Sequence, residues 1–135
     1  GSVGQTAGLP TGAVIESGSN ANGSYIRYAD GTQICFHRAQ LVAISINTAS
    51  GSVFRGNVGN FYFPAAFSQV VAVSGTVMGS QNATIRNSAG FLKTRQGSSV
   101  AEADWVGVTL WSAPSVTGVT SEVTQLSLMA FGRWF

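Results

Sequence analysis

Ser24-Tyr25-Ile26-Arg27-Tyr28-Ala29, then Asp30-Gly31, then Thr32-Gln33-Ile34-Cys35-Phe36-His37-Arg38: two runs rich in aromatic and β-branched residues flank an Asp-Gly pair. Both turn residues tolerate the positive φ of a type I′ turn, so the spacing predicts a β-hairpin. Pairing across a two-residue turn sets Ala29 opposite Thr32, Tyr28 opposite Gln33, Ile26 opposite Cys35 and Ser24 opposite His37. One face then carries Tyr25, Arg27, Ile34 and Phe36, and the other Ile26, Tyr28, Cys35 and His37. A surface hairpin ordinarily keeps one face wet. One that is half apolar on both sides predicts a second covering surface, such as another copy of the chain.

Outward from the hairpin, residues 3–23 are mostly Gly, Ser, Asn and Thr, with Ala13-Val14-Ile15 as the only apolar stretch. They read as a linker or lead-in, and Gly1-Ser2 resembles the remnant of a cleaved tag. C-terminal to the hairpin, strands are expected at Leu41–Ile46, Phe61–Phe63, Val70–Met78, Ala83–Arg86, Phe91–Arg95, Trp105–Ser112 and Val123–Trp134. The intervening Gly, Ser and Asn give the spacing of a sandwich or barrel. Only Ser98–Asp104 reads as a possible helical turn. The expected organisation is all-β: a lead-in over 1–23, a hairpin over 24–40 and an antiparallel β-sandwich over 41–135.

Alternation assigns the faces. Val71, Val73 and Val77 form an apolar face against Ala72, Ser74 and Thr76. Val106, Val108 and Leu110 form a core face, which points Trp105, Thr109 and Trp111 away from it. The last strand is apolar on both sides, with Leu126, Leu128, Ala130 and Trp134 on one and Met129, Phe131 and Phe135 on the other. That pattern suits a buried central or interface strand, and a Trp-Phe ending suits a trimer better than a monomer, where it would fray.

Composition narrows the function. The chain has 135 residues, one domain's worth. Only 9% are charged and 10% are aromatic, which argues against disorder. The net charge of +2 is spread along the chain with no basic stripe, so a nucleic-acid partner is not expected. No apolar run approaches the ~18 residues that span a bilayer, so membrane insertion is not expected.

Catalytic chemistry has little to work with: one His, one Cys and five carboxylates. Cys35 and His37 share a strand face, but a packed thiol beside an imidazole is the plainer reading, and no enzyme is expected. Asp104 and Glu102 are the nearest thing to the carboxylate pair of a glycan-degrading enzyme. No glycine-rich phosphate loop lies between a strand and a helix, and no cofactor is expected. A lone Cys cannot anchor a cysteine-based zinc site; a metal would need three copies of His37 on a trimer axis.

Exposed aromatics among neutral polar residues suit a sugar, whose C–H face stacks on the ring while polar groups bind its hydroxyls. Trp105 and Trp111, with Asp104 beside Trp105, are the candidates, and Phe91, Lys93 and Arg95 alternate onto one face of a neighbouring strand. The same two tryptophans equally suit a subunit interface.

The segment Gly18-Ser19-Asn20-Ala21-Asn22-Gly23 together with Tyr25 to Cys35 resembles one common in tail-fibre proteins of bacteriophages and prophages. Phe63-Pro64-Ala65-Ala66-Phe67, the following Val70 to Val73, and the closing Leu128-Met129-Ala130-Phe131-Gly132-Arg133-Trp134 resemble the C-terminal domains of those fibres. The resemblance implies an intertwined homotrimer at a fibre tip, related to the H-type lectins, carried by an upstream shaft on an extracellular virion or phage-like particle. It implies recognition of a bacterial surface carbohydrate such as lipopolysaccharide or capsule. The calcium ligands and the histidine beside a tryptophan found in some H-type lectins have no match, so no ligand residue carries over. The alternative is a structural trimerisation and folding cap without its own ligand.

Overall fold

The computed structural model describes residues 1–13, 15–88, 91–95 and 105–135. In chain order the elements are β1 (Val3–Thr6), β2 (Leu9–Gly12), β3 (Ile15–Asn20), β4 (Gly23–Tyr28), β5 (Thr32–Val42), β6 (Thr48–Ser50), β7 (Val53–Tyr62), β8 (Gln69–Ser80), α1 (Ala83–Ser88), β9 (Phe91–Arg95), β10 (Trp105–Ser112) and β11 (Val123–Arg133). Among the described residues the fold is all-β apart from one short helix, and every strand pairing is antiparallel. A five-stranded sheet runs β3-β4-β5-β11-β8, a four-stranded sheet runs β6-β7-β10-β9, and β1 pairs with β2.

The hairpin forms, but its register differs by one residue from the expected one. Tyr25 pairs with Cys35, Ile26 with Ile34 and Arg27 with Gln33. The connection is three residues, Ala29, Asp30 and Gly31. The amide of Gly31 donates to the Tyr28 carbonyl at 3.1 Å, and Gly31 alone takes a positive φ, +94°. This is a turn closed by a left-handed glycine, not the type I′ pair, and Asp30 Oδ1 accepts from the Thr32 amide at 2.8 Å to lock it. The slip re-sorts both faces: Tyr25, Arg27, Gln33 and Cys35 now share one, and Ile26, Tyr28, Ile34 and Phe36 the other.

The expected linker over 1–23 is a correction of larger consequence. Residues 3–12 form a hairpin, and β3 is an edge strand of the five-stranded sheet. Asn20 and Gly23 close a two-residue turn over Ala21-Asn22, and Asn20 Oδ1 accepts from the Asn22 amide at 2.9 Å. Glycine, serine and asparagine here serve a tight turn and a short edge strand, places where their composition is as suitable as in a linker. The expected division at residue 40 falls inside β5, whose whole length pairs with β11.

Other differences are local. Ala83–Arg86 is helical, not extended, because Asn82 Oδ1 accepts from the amides of Thr84 and Ile85, an N-cap that starts α1 and sets Ile85 into the core. Of the expected strand Leu41–Ile46, only Leu41 and Val42 lie in a strand, the end of β5, while Ile46 makes an isolated bridge to Val116. Phe61–Phe63 is mostly the end of the ten-residue β7. Val71 is 70% exposed although Val73 and Val77 face inward, because a bulge between Phe131 and Gly132 puts Val71 out of step. The possible helical turn at 98–104 lies outside the described residues.

Two apolar clusters hold the chain together. The larger draws Ala39, Leu126 and Leu128 from the five-stranded sheet, Val108 and Leu110 from the four-stranded one, and Ile46, Ile85 and Val116 from the connections. The smaller sets Cys35 and Ala130 against Phe67, with Tyr25, Phe63, Val70 and Val73 around them. Val106, Val108 and Leu110 are all at most 1% exposed, as their alternation predicts.

Candidate functional site

The sequence-predicted sugar residues lie on β10 and its partner β9. Trp111 pairs in register with Arg55 and Phe91, Lys93 with Thr109, Arg95 with Gly107, and Trp105 with Tyr62. Trp111 is half-buried. For Trp105, Lys93 and Arg95 the backbone register alone is described, and Asp104 and Glu102 lie outside the described residues. Thr109, expected to point away from the core beside Trp111, is 5% exposed and donates to Asn57 Oδ1 at 2.9 Å.

Cys35 and His37 do share the inward face of β5. Cys35 is 2% exposed, and burial pushes its thiol up from the ordinary range, so the nucleophilic thiolate is disfavoured. His37 stands 6.1 Å from the ring of Phe61 on β7. That places the imidazole on the side facing the four-stranded sheet and away from the open face of its own sheet. An axis formed by copies meeting on that open face would not collect three His37 side chains. The crevice beside the pair, lined by Phe61, Phe63 and Leu128 among others, offers about 20 Å³, room for one water.

Sequence reasoning missed the polar centre at this end of the molecule. Gln33 has no exposed surface and is fully engaged: Nε2 donates to the carbonyls of Ala65 and Ala66 at 3.0 and 3.1 Å, and Oε1 accepts from Arg27 Nε at 2.7 Å. Asn20 Nδ2 donates to the Pro64 carbonyl at 2.9 Å. Segment 63–67 is thus tied to β5 and to the β3–β4 turn, with Phe63 and Phe67 edge-to-face at 5.1 Å beneath it. The legible signal was a glutamine two residues from the lone cysteine, on one strand face.

The C-terminus is tied to the hairpin turn within a single chain. Trp134 Nε1 donates to the Tyr28 carbonyl at 2.9 Å, the Trp134 amide to the Gly31 carbonyl at 3.0 Å, and Arg133 Nη2 to the Asp30 carbonyl at 2.9 Å. The Arg27 guanidinium lies over the Trp134 ring at 5.5 Å. Trp134 and Arg133 are thus held within one chain, so fraying no longer argues for a trimer over a monomer.

The five-stranded sheet leaves its other face open. Across it, Ile26 is level with Ile34 and Phe131, and Phe36 with Met129. Phe36, Met129 and Phe131 are 40%, 40% and 38% exposed, so of the two apolar sides of β11 one packs in the core and the other is uncovered within the single chain. The chain was compared with protein-family models, curated proteins and solved structures, and none of them matches.

Proposed function

We propose that the chain is a non-enzymatic receptor-binding domain. In this reading its two sheets form a sandwich, three copies associate, and the trimer ends a phage-type tail fibre on an extracellular particle. It recognises carbohydrate on a bacterial surface, lipopolysaccharide or capsule, and is joined to an upstream fibre shaft. The observation that carries the reading is the open apolar face of Ile26, Ile34, Phe36, Met129 and Phe131, a contiguous patch of the kind that marks an interaction surface. A chain in which only 9% of residues are charged supports a glycan partner over an ionic one. Three shallow sites would gain by avidity what each lacks in affinity.

The test is solution mass by light scattering, with Phe131→Glu as the control. The reading expects three times the 14.0 kDa chain mass, and a monomer for the variant. A monomeric parent would overturn the trimer. The same face also favours the second reading, a trimerisation cap without a ligand. A glycan array separates the two: a trimer that binds no glycan is the cap.

A further inference from the structure

We infer that a groove at the far end of the open sheet face, lined by Gln40, Gly79, Ser80, Gln81, Val123 and Gln125, is a binding site for one or two neutral sugar residues. The inference rests on the carbohydrate reading above and moves its site away from the tryptophans of β10.

The sheet register builds the groove. Gln40 on β5, Gln125 on β11 and Gly79 on β8 stand in one transverse row. Gly79 supplies the depression, since a row of side chains is interrupted where it has none. A bulge between Gln125 and Leu126 re-aims the edge strand beside it. The open volume is about 390 Å³, within the range of small-molecule clefts.

Its chemistry is neutral and rich in hydrogen-bond donors. The Oε1 of Gln81 accepts from the Val123 amide at 2.9 Å, which leaves its Nε2 free to donate. The Oε1 of Gln125 accepts from Arg38 Nη2, which likewise reserves Nε2 and engages the guanidinium. The Gln40 side chain makes no hydrogen bond among the described residues and offers both donor and acceptor. Ser80 Oγ is shared with the buried Thr124 Oγ1 at 2.8 Å and accepts from the Asn82 amide at 3.1 Å, so this hydroxyl is engaged on the inward side and the groove's side-chain donors are the three glutamines. Val123 supplies an apolar contact for ring C–H groups. Among the described residues no carboxylate lines the groove, and the two nearby cations, Arg38 on Gln125 and Arg86 on the Ser80 carbonyl, are already hydrogen-bonded. A ligand dense in hydroxyl oxygens matches this set, since each hydroxyl both accepts and donates.

Gly79 gives a clean test. A Cβ there meets nothing within 4 Å, and its φ lies outside the left-handed region, so Gly79→Leu fills the groove without straining the strand. Protein labelled with nitrogen-15 is titrated with glucose, galactose, N-acetylglucosamine and rhamnose to tens of millimolar, reading the side-chain amides of Gln40, Gln81 and Gln125. At least one sugar is expected to shift these amides saturably, with binding weakened ~tenfold or more in Gly79→Leu and Gln40→Ala at unchanged denaturation midpoint. Absence of groove shifts with all four sugars, or shifts that persist in Gly79→Leu, would overturn the inference. Shifts confined to the Trp111 indole would overturn the groove while leaving the carbohydrate reading standing. A blank glycan array would remove that reading as well.

Discussion

Gln33, without exposed surface, donates Nε2 to the carbonyl oxygen of Ala65 at 3.0 Å, joining the turn end of the β4–β5 hairpin to a loop 32 residues away. The contact is one of several that fasten segment 63–67, beside the bonds from Gln33 to Ala66 and from Asn20 to Pro64. Gln33→Leu keeps roughly the volume but strands the carbonyls of Ala65 and Ala66 and the Arg27 Nε. A loss of about 2–3 kcal/mol is expected in urea unfolding, from buried polar groups left without partners. A change within error of zero would show that the loop is held by its phenylalanines alone.

Gly31 holds φ at +94°, and a Cβ there would strike the Arg133 guanidinium. Gly31→Ala is expected to cost about 1–2 kcal/mol from backbone strain, and more if Arg133 gives up the Asp30 carbonyl. The check is the denaturation midpoint of Gly31→Ala with and without Arg133→Ala. If the arginine contact contributes, the two losses add to more than the double variant shows.

Asp30 is held below the ordinary carboxylate range, chiefly by the Thr32 amide. A depressed folded-state pKa stabilises the fold above the ordinary carboxylate value, and that contribution disappears as pH falls through the depressed one. Asp30→Asn keeps an acceptor for the amide but cannot titrate. Its stability should therefore fall less than that of the parent between neutral pH and acid, measured by urea titration at each pH.

Burial holds the Cys35 thiol protonated, and segment 63–67 covers it, so a soluble aromatic disulfide reagent should leave the native protein unmodified at neutral pH. One thiol should react once the chain unfolds. Because the folded-state pKa is raised, the associated stability is present at neutral pH and lost as pH rises past the ordinary thiol range. Rapid reaction of the native protein would reveal opening of segment 63–67.

Much of this architecture is written in short-range pattern, and its failures have identifiable causes. The Asp-Gly signal located the hairpin, yet it is compatible with two-residue and three-residue connections, and only the position of Ala29 decides between them. That single residue reverses which side chains meet. Val53–Tyr62 carries Gly56, Asn57, Gly59 and Asn60, a composition that reads as loop, and it became a strand because β10 and β6 pair along both its edges. The six-residue helix α1 is too short to show periodicity and depends on one capping asparagine. Val106, Val108 and Leu110 were plain from alternation, whereas the groove row of Gln40, Gln125 and Gly79 exists only after three strands take their register.

β11 lies between β5 and β8 in the five-stranded sheet yet follows every other strand of that sheet in the chain. During synthesis both of its neighbours, β5 and β8, therefore emerge with an unpaired edge and no partner to fill it. Such edges are templates for the wrong strand, above all in a crowded polysome where identical chains lie side by side. The glycine- and serine-interrupted sequence of β8 and the bulges it shares with β11 make it a poor template until the matching strand arrives. Folding of this chain should therefore be late and abrupt, the sheet closing when β11 clears the ribosome.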